Sequence, residues 1–505
     1  MNRLRRALIT LLCLIAPGLL AVGAAQVERE LTVAIWSDLP GFDPHGLTQA
    51  VPTQVYPNIY DHLVFRDVDG ELQPALATEW EPVSDTAWRF VLRDDVEWHD
   101  GEAFTAADVR FSLERVGNDD SLPRHPQFSL ISTVEIVDDH EVIIHTESPD
   151  PILINRLAAG GGSILPKHYF ERVGVDEFTV QPIGTGPFKF VEHEHDAHIT
   201  FEAFDNHWRG RPTYDRLVFR IIPELTTAAS ELVAGGVDIV TRVEAPDMPR
   251  LEASDDIVLL PVPAPRHVVW YLNTDATVET GDVRVREAID HAIDNQLLID
   301  SVLGGYGTPT RVRVSPGLLN APMEYYDTYR YDPDLAVELL EEAGYGPGEL
   351  TITVHAFGPS EPVEVIGAML ENVGINANVV MVEQAAYNTR VWDNDEFTHM
   401  AYASVGNALF DYAAALSVLK CPGGRHYERG GWCHEEFSAL VSEAETEVDL
   451  DRREQLLRDA TDILLEELPQ LYPYTVERIA ATNTSVDWTP RQDETWWMFE
   501  AMPLD

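Results

Sequence analysis

Residues 350–382 constrain the fold of this chain more tightly than any other stretch. Leu350, Ile352, Val354 and Ala356 alternate over 350–357, the period of a half-buried strand. Val363, Ile366, Leu370 and Val373 follow at helical spacing over 362–373, and 375–382 alternates again. A strand, a helix and a strand with so short a return predict a parallel pair joined by a right-handed crossover. The chain is therefore expected to be α/β, with mixed sheets.

Other segments agree. Residues 31–36 read as a strand, and Trp88, Phe90 and Leu92 alternate on one face of another. Thr105 and Asp108 make a capping box before a helix whose stripe is Val109, Leu113 and Val116. Asp282 caps a second helix, with Val285, Ala288, Ile289, Ala292 and Ile293 inward. Asp332-Pro333 starts a third, with Leu335, Leu339, Leu340 and Ala343 inward and Gly344 as its stop. A last long helix spans about 449–468, burying Leu456, Leu457, Ala460, Ile463 and Leu464. Residues 141–219 read as short strands broken by Gly and Pro. Gly184, Gly186 and Pro187 predict a tight turn into a strand.

The first 25 residues begin with Arg3, Arg5 and Arg6, continue with an apolar run, and end in Ala21, Gly23, Ala24 and Ala25. That is the pattern of a secretory signal, with cleavage expected after Ala24 or Ala25. Cys13 follows Leu12, not a small residue, so lipidation is not expected. No other segment is apolar for long enough to span a bilayer. Cleavage leaves about 480 residues, enough for two or three cores. It also leaves 32 bases against 85 acids, a formal charge of −53. Such a charge argues against nucleic acid or an anionic membrane as partner, and fits a saline surrounding. Two cysteines remain, Cys421 and Cys433. In an oxidising compartment they predict one disulfide, worth about 3 kcal/mol in the chain-entropy account. Free thiols, or a zinc site with His426 and His434, are the alternatives.

Six segments resemble the family 5 extracellular solute-binding proteins, which include dipeptide-, oligopeptide- and nickel-binding members. They are GFDPH (41–45), DGELQPALATEWEPVSD with WRFVLRDDVEWHDGEAFTAADVRFSLERV (69–116), PIGTGPFKF (182–190), LNT (272–274), VRVREAIDHAIDNQLLID (283–300) and YDPDLAVELLEEAGY (331–345). The resemblance covers nearly all the secreted chain. It implies a two-lobed periplasmic binding protein fold of type II, with an extra subdomain in the first lobe. The expected division is 1–25 signal, 26–70 with 190–282 and 482–505 as lobe I, 71–189 as its inserted subdomain, and 283–481 as lobe II. The implied function is capture of a peptide or peptide-like solute between the lobes and delivery to an ABC permease complex at the inner membrane. The implied protein is a monomer in the periplasm, is not an enzyme and needs no cofactor. A non-peptide organic solute, a metal chelate or a sensory role are alternatives on the same fold.

The segment 421–444 resembles the disulfide loop of the dipeptide-binding members. In those, an Asp after a Gly shortly before the first cysteine holds the ligand's ammonium. Here Gly406 is followed by Asn407, and the nearest acid is Asp411. The dipeptide members also place an Arg for the ligand carboxylate just before the helix that here begins near Pro362. This chain has HAFGPSEP there, without an Arg. Both departures point away from a free dipeptide and toward longer or blocked peptides, or another organic solute.

Tryptophans and tyrosines form flat walls with few rotors. Trp36, Trp270, Trp392 and Tyr402 are the candidates for a pocket wall, with Gly406, Asn407 and Asp411 at its polar end. His193 and His195 share one face of a strand in VEHEHDAH. A metal site is conceivable there, but the surrounding charge favours a solvated hairpin, so no metal is expected. His99 is expected to serve a turn, and glycines 160–162 to form a loop. No Gly-x-Ser-x-Gly elbow and no His-Glu-x-x-His occurs.

Overall fold

The computed structural model describes residues 29–504 apart from 359, 360, 394 and 395. The expected signal at 1–25 and the side chain of Trp392 lie outside the described residues. One mixed sheet runs through the molecule. Its path is Ile375–Met381, Leu350–Ala356, Met400–Gly406, Ile257–Leu272, Tyr474–Asn483, Ile239–Val240, Glu30–Ile35, Arg216–Ile221, His198–Ala203 and Phe188–Glu194. The predicted parallel pair is present, running from Leu350 opposite Ile375 to Ala356 opposite Met381. Glu30–Ile35 is parallel to both of its neighbours, while most other pairs are antiparallel.

Two cores lie on this sheet. The first gathers Leu31, Val33, Phe188, Phe201 and Phe219. The second gathers Val268, Trp270, Val285, Ile289, Ile352 and Ile366. A third core, around Phe90, Trp98, Val109 and Leu113, belongs to a separate antiparallel sheet of four strands within 77–146. Two long strands, Ile257–Leu272 and Tyr474–Asn483, join the first two cores. They pair from Ile257 opposite Asn483 to Pro263 opposite Glu477, and the register then slips between Pro263 and His267. From Arg266 onward the first strand also pairs with Met400–Gly406.

Side-chain caps, most of them predicted, fix where several helices begin. Thr105 N–H donates to Asp108 Oδ2 at 2.9 Å, opening helix Ala106–Asn118. Asp282 accepts from Arg284 N–H at 2.9 Å, Asp332 from Leu335 N–H at 3.0 Å, and Asp449 from Arg452 N–H at 3.0 Å. Each satisfies a donor that the first turn would leave bare. The third helix, Pro333–Glu342, differs from its predicted stripe. Ala336 and Leu340 are buried, while Leu335 and Leu339 are only half-buried. It packs on helix Val283–Ala292, which turns its inward face by about one residue.

The Gly184-Thr-Gly-Pro turn is a close backbone crossing. A methyl at Gly184 would stand 1.8 Å from the Ile59 carbonyl oxygen. His99 braces this turn, as expected of it: its Nδ1 accepts from Gly184 N–H at 3.1 Å and its Nε2 donates to Gly186 O at 2.9 Å. Burial pushes this imidazole down to about 3. Glycines 160–162 form a short helical turn. Cys421 and Cys433 are joined in a disulfide, with Cα atoms 5.3 Å apart. His426 and His434 are not its rivals for zinc. His426 is spent on Leu272 O at 2.8 Å, and His434 caps helix Glu435–Ala444.

Candidate binding cleft

Charge collects where strand Ile257–Leu272 exchanges partners. Arg266 lies within the register slip and faces Gly406 across the ladder. Arg478, on the other crossing strand, pairs with Val262. Both guanidinium groups reach Glu494, on the segment by which the end of the chain returns to the first core. Arg478 Nε donates to Glu494 Oε1 at 2.6 Å, and Arg266 Nη2 donates to Oε2 at 3.0 Å. Burial alone would raise the Glu494 carboxyl. The two guanidiniums outweigh that cost and hold it at about 2.

A third cation stands beside them. Arg242 Nε donates to Glu244 at 2.7 Å, and its guanidinium carbon lies 5.7 Å from the Trp36 ring centroid. Three guanidiniums thus meet two carboxylates. Glu361 and Glu477 line the groove beyond them, so the positive excess is confined to the contact among Arg242, Arg266 and Arg478, in a chain whose formal charge is −50. Like charges held this close favour an anionic guest over a cationic one.

Aromatic walls flank the charge. Trp36 packs edge-on against Trp496, with centroids 5.2 Å apart. Trp36, Trp488 and Trp496 line a small cavity together with Arg242, Arg478 and Glu494. A solvent-open groove of about 470 Å³ shares Arg242 and Arg478 and continues over Met248, Tyr306 and Glu477 to Glu361 and Pro362. The concavity therefore runs from residues beside the first core to residues beside the second. Clefts of this kind, apolar with a few converging polar groups, are where small ligands bind.

A family profile described as "Bacterial extracellular solute-binding proteins, family 5 Middle" matches residues 71–424. The chain belongs to this family. Among its relatives, the "Dipeptide-binding protein" of Escherichia coli (strain K12) is 29% identical over 486 residues, covering 89% of this chain and 90% of that protein. "Heme-binding protein A" of Haemophilus influenzae is 30% identical over 444 residues, covering 81% of this chain and 80% of that one. In three dimensions, NikA from Brucella suis in complex with Fe(III)-EDTA matches with a TM-score of 0.85 at 25% identity, covering 94% of this chain and 100% of that one. The architecture is that of the type II periplasmic binding proteins. No helix among the described residues is long and apolar enough to cross a membrane.

Against this family frame the predicted site residues separate into two groups. Trp36, Tyr402 and Gly406 lie at the charged corner. Tyr402 is half-buried and stacks edge-on against Trp270 and Phe357. Burial raises its hydroxyl, while Arg478, Arg266 and Arg242 act in the opposite direction. Gly406 is exposed beside Arg266, whose Nη2 would stand 3.1 Å from a methyl placed there.

Trp270, Asn407 and Asp411 are turned away from the cleft. Trp270 is fully buried in the second core, because its strand is covered there by helix and sheet. Asn407 donates to Asp411 O at 2.6 Å, closing its own loop. Asp411 forms a buried ion pair with Arg453 Nη2 at 2.6 Å and caps the helix Tyr412–Leu416. These two polar groups are consumed by packing and shape the loop after Gly406. That loop also touches helix Leu153–Leu157 and strand Val64–Arg66, beside the third core. Asn155 Nδ2 donates to Leu409 O at 2.8 Å, and the Arg66 guanidinium lies 4.2 Å from the Phe410 ring centroid.

Sequence reasoning missed Arg242, Arg266, Arg478 and Glu494. Their one signal was scarcity: cations are few in so acidic a chain. Their convergence is tertiary and has no spacing to read.

Proposed function

We propose that this protein captures a peptide or peptide-like solute bearing a free carboxylate, and hands it to the permease of an ABC importer from the periplasm. The observation that supports this is the convergence of Arg242, Arg266 and Arg478 beside Trp36 and Tyr402. A carboxylate set there gains charge-assisted hydrogen bonds, and the aromatic walls take the apolar remainder. The ligands named for the relatives share that group: dipeptides, haem and EDTA all carry carboxylates. Lobe I is assigned to 26–70, 190–282 and 482–505, with 71–189 inserted, and lobe II to 283–481. The solute binds between them and the lobes close on it, as a monomer without cofactor and without cleaving what it holds. Trp392 remains a wall candidate on the grounds of sequence alone. Asn407 and Asp411 act by shaping the loop, while Gly406 leaves room beside Arg266.

A chelate of a metal by a polycarboxylate is the second reading, favoured by the same arginines and by the Fe(III)-EDTA complex of the NikA structure. Calorimetry with di- and tripeptides and their C-terminal amides, alongside Fe(III)-EDTA, tests both. The free acids are expected to bind at least about tenfold more tightly than the amides, the worth of one charge-assisted bond. Equal affinity for acid and amide would remove the carboxylate from the account. Recovery of every peptide uncleaved after incubation is expected; cleavage would contradict a purely binding role.

A further inference from the structure

We propose that Asp38, His193 and His195 form a divalent-metal site of the Zn²⁺, Ni²⁺ or Cu²⁺ class, on the first core's outer sheet edge and away from the cleft. Strand Phe188–Glu194 is the last strand of the sheet path, three places beyond Glu30–Ile35. His193 lies on this strand and His195 on the turn that follows, two residues on, so their rings face the same side and sit 4.3 Å apart. Asp38 comes from the loop after the first strand and meets both. Its Oδ1 is 2.6 Å from His193 Nε2, and its Oδ2 is 3.1 Å from His195 Nδ1.

The donor set is two imidazoles and one carboxylate, with one ligand atom from each within 4.8 Å of the others. Around a tetrahedral ion with ligands at about 2.1 Å, donor atoms stand about 3.4 Å apart. The three donor atoms, within 4.8 Å of one another, are therefore already near that spacing. His195 has the freedom to adjust, since its side chain is 76% exposed. The other two are anchored. Asp38 Oδ1 accepts from Leu39 N–H at 2.7 Å and Oδ2 from Asp196 N–H at 3.0 Å, which fix the carboxylate's direction. His193 is largely covered and rests edge-on against Phe42, 5.7 Å between centroids. Anchored ligands joined to one mobile ligand make a site with an entry path.

Mixed nitrogen and oxygen donors select the borderline ions over Mg²⁺ or Ca²⁺, which take oxygen. Three protein ligands leave a fourth position for water. Without an ion the same groups form a closed His–Asp–His hydrogen-bond set. An ion here would clamp the loop leaving Trp36 to the far hairpin of the same core.

The test uses the tag-free secreted chain, stripped with EDTA and titrated with zinc chloride at neutral pH. One ion is expected, with Kd below about 10 µM. Affinity is expected to fall at least tenfold in His195→Ala and in Asp38→Asn, and to stay unchanged in His198→Ala, whose imidazole faces Glu192 instead. His195→Ala removes an exposed side chain, so its fold is not at risk. No binding below about 100 µM, or binding that survives His195→Ala, would overturn the site. Peptide affinity measured on the same variants is expected to be unchanged, which keeps this test separate from that of the cleft.

Discussion

Glu494 is the residue on which the charged corner turns. Its folded carboxyl is held at about 2, against an ordinary value of 4.5. A depressed folded value means that its contribution is complete above about pH 4.5 and is lost as the pH falls toward 2. Denaturation of Glu494→Gln is expected to show lower stability at neutral pH, by on the order of 3 kcal/mol, and a flatter decline between pH 4.5 and 2. An unchanged acid limb would refute the Glu494 pairing. Asp411 makes the complementary case. Its partner Arg453 is buried with it, so Asp411→Ala is expected to destabilise the fold by about 3–5 kcal/mol. The preference for free acids over amides should survive in whatever protein remains folded. A loss of that preference with stability intact would return Asp411 to the site. The sequence makes Asp411 visible as the acid nearest Gly406. It cannot show that an arginine on the last long helix already neutralises it.

Among the elements, the turn at Gly184 carries the clearest expectation. The Ile59 carbonyl would meet an added methyl at 1.8 Å, and both partners are backbone. Gly184→Ala is therefore expected to cost more than about 2 kcal/mol by urea denaturation, as overpacking of a rigid contact does. A cost under about 0.5 kcal/mol would mean that the crossing is loose. Caps and strand periods were legible because their causes are local: Thr105 with Asp108, Asp282 and Asp332 each act within one turn. The slip between Pro263 and His267 was not legible, because it answers to two partner strands far apart in sequence. Trp270 belongs with it. An apolar residue on a strand near a lobe crossing reads equally well as wall or core, and only the layer laid over it decides.

At the scale of the whole molecule two titrations oppose each other's reach. Burial pushes His45, His62 and His426 down to about 4, and His99 and His267 to about 3. These imidazoles fold neutral. The unfolded chain takes up their protons below about pH 6.5, so stability falls as pH drops from there toward 4. Near pH 5, on the order of five protons are expected to accompany unfolding; a pH-independent midpoint between 6.5 and 5 would contradict this. The acidic surface acts through salt instead. Screening shortens from about 10 Å at 0.1 M to about 3 Å at 1 M, so the melting temperature is expected to rise with sodium chloride over that range. A flat response would mean that the charge of −50 is already compensated locally. The two long strands that join the cores carry Arg266 and Arg478. Mass spectrometry of small molecules released by denaturing the purified wild-type protein and Arg478→Met tests most directly the proposal that these arginines hold a carboxylate. The account predicts about one equivalent of a carboxylate-bearing peptide or chelate from the wild type, depleted at least tenfold in the variant. A released solute without a carboxylate, or equal occupancy in the two proteins, would contradict it.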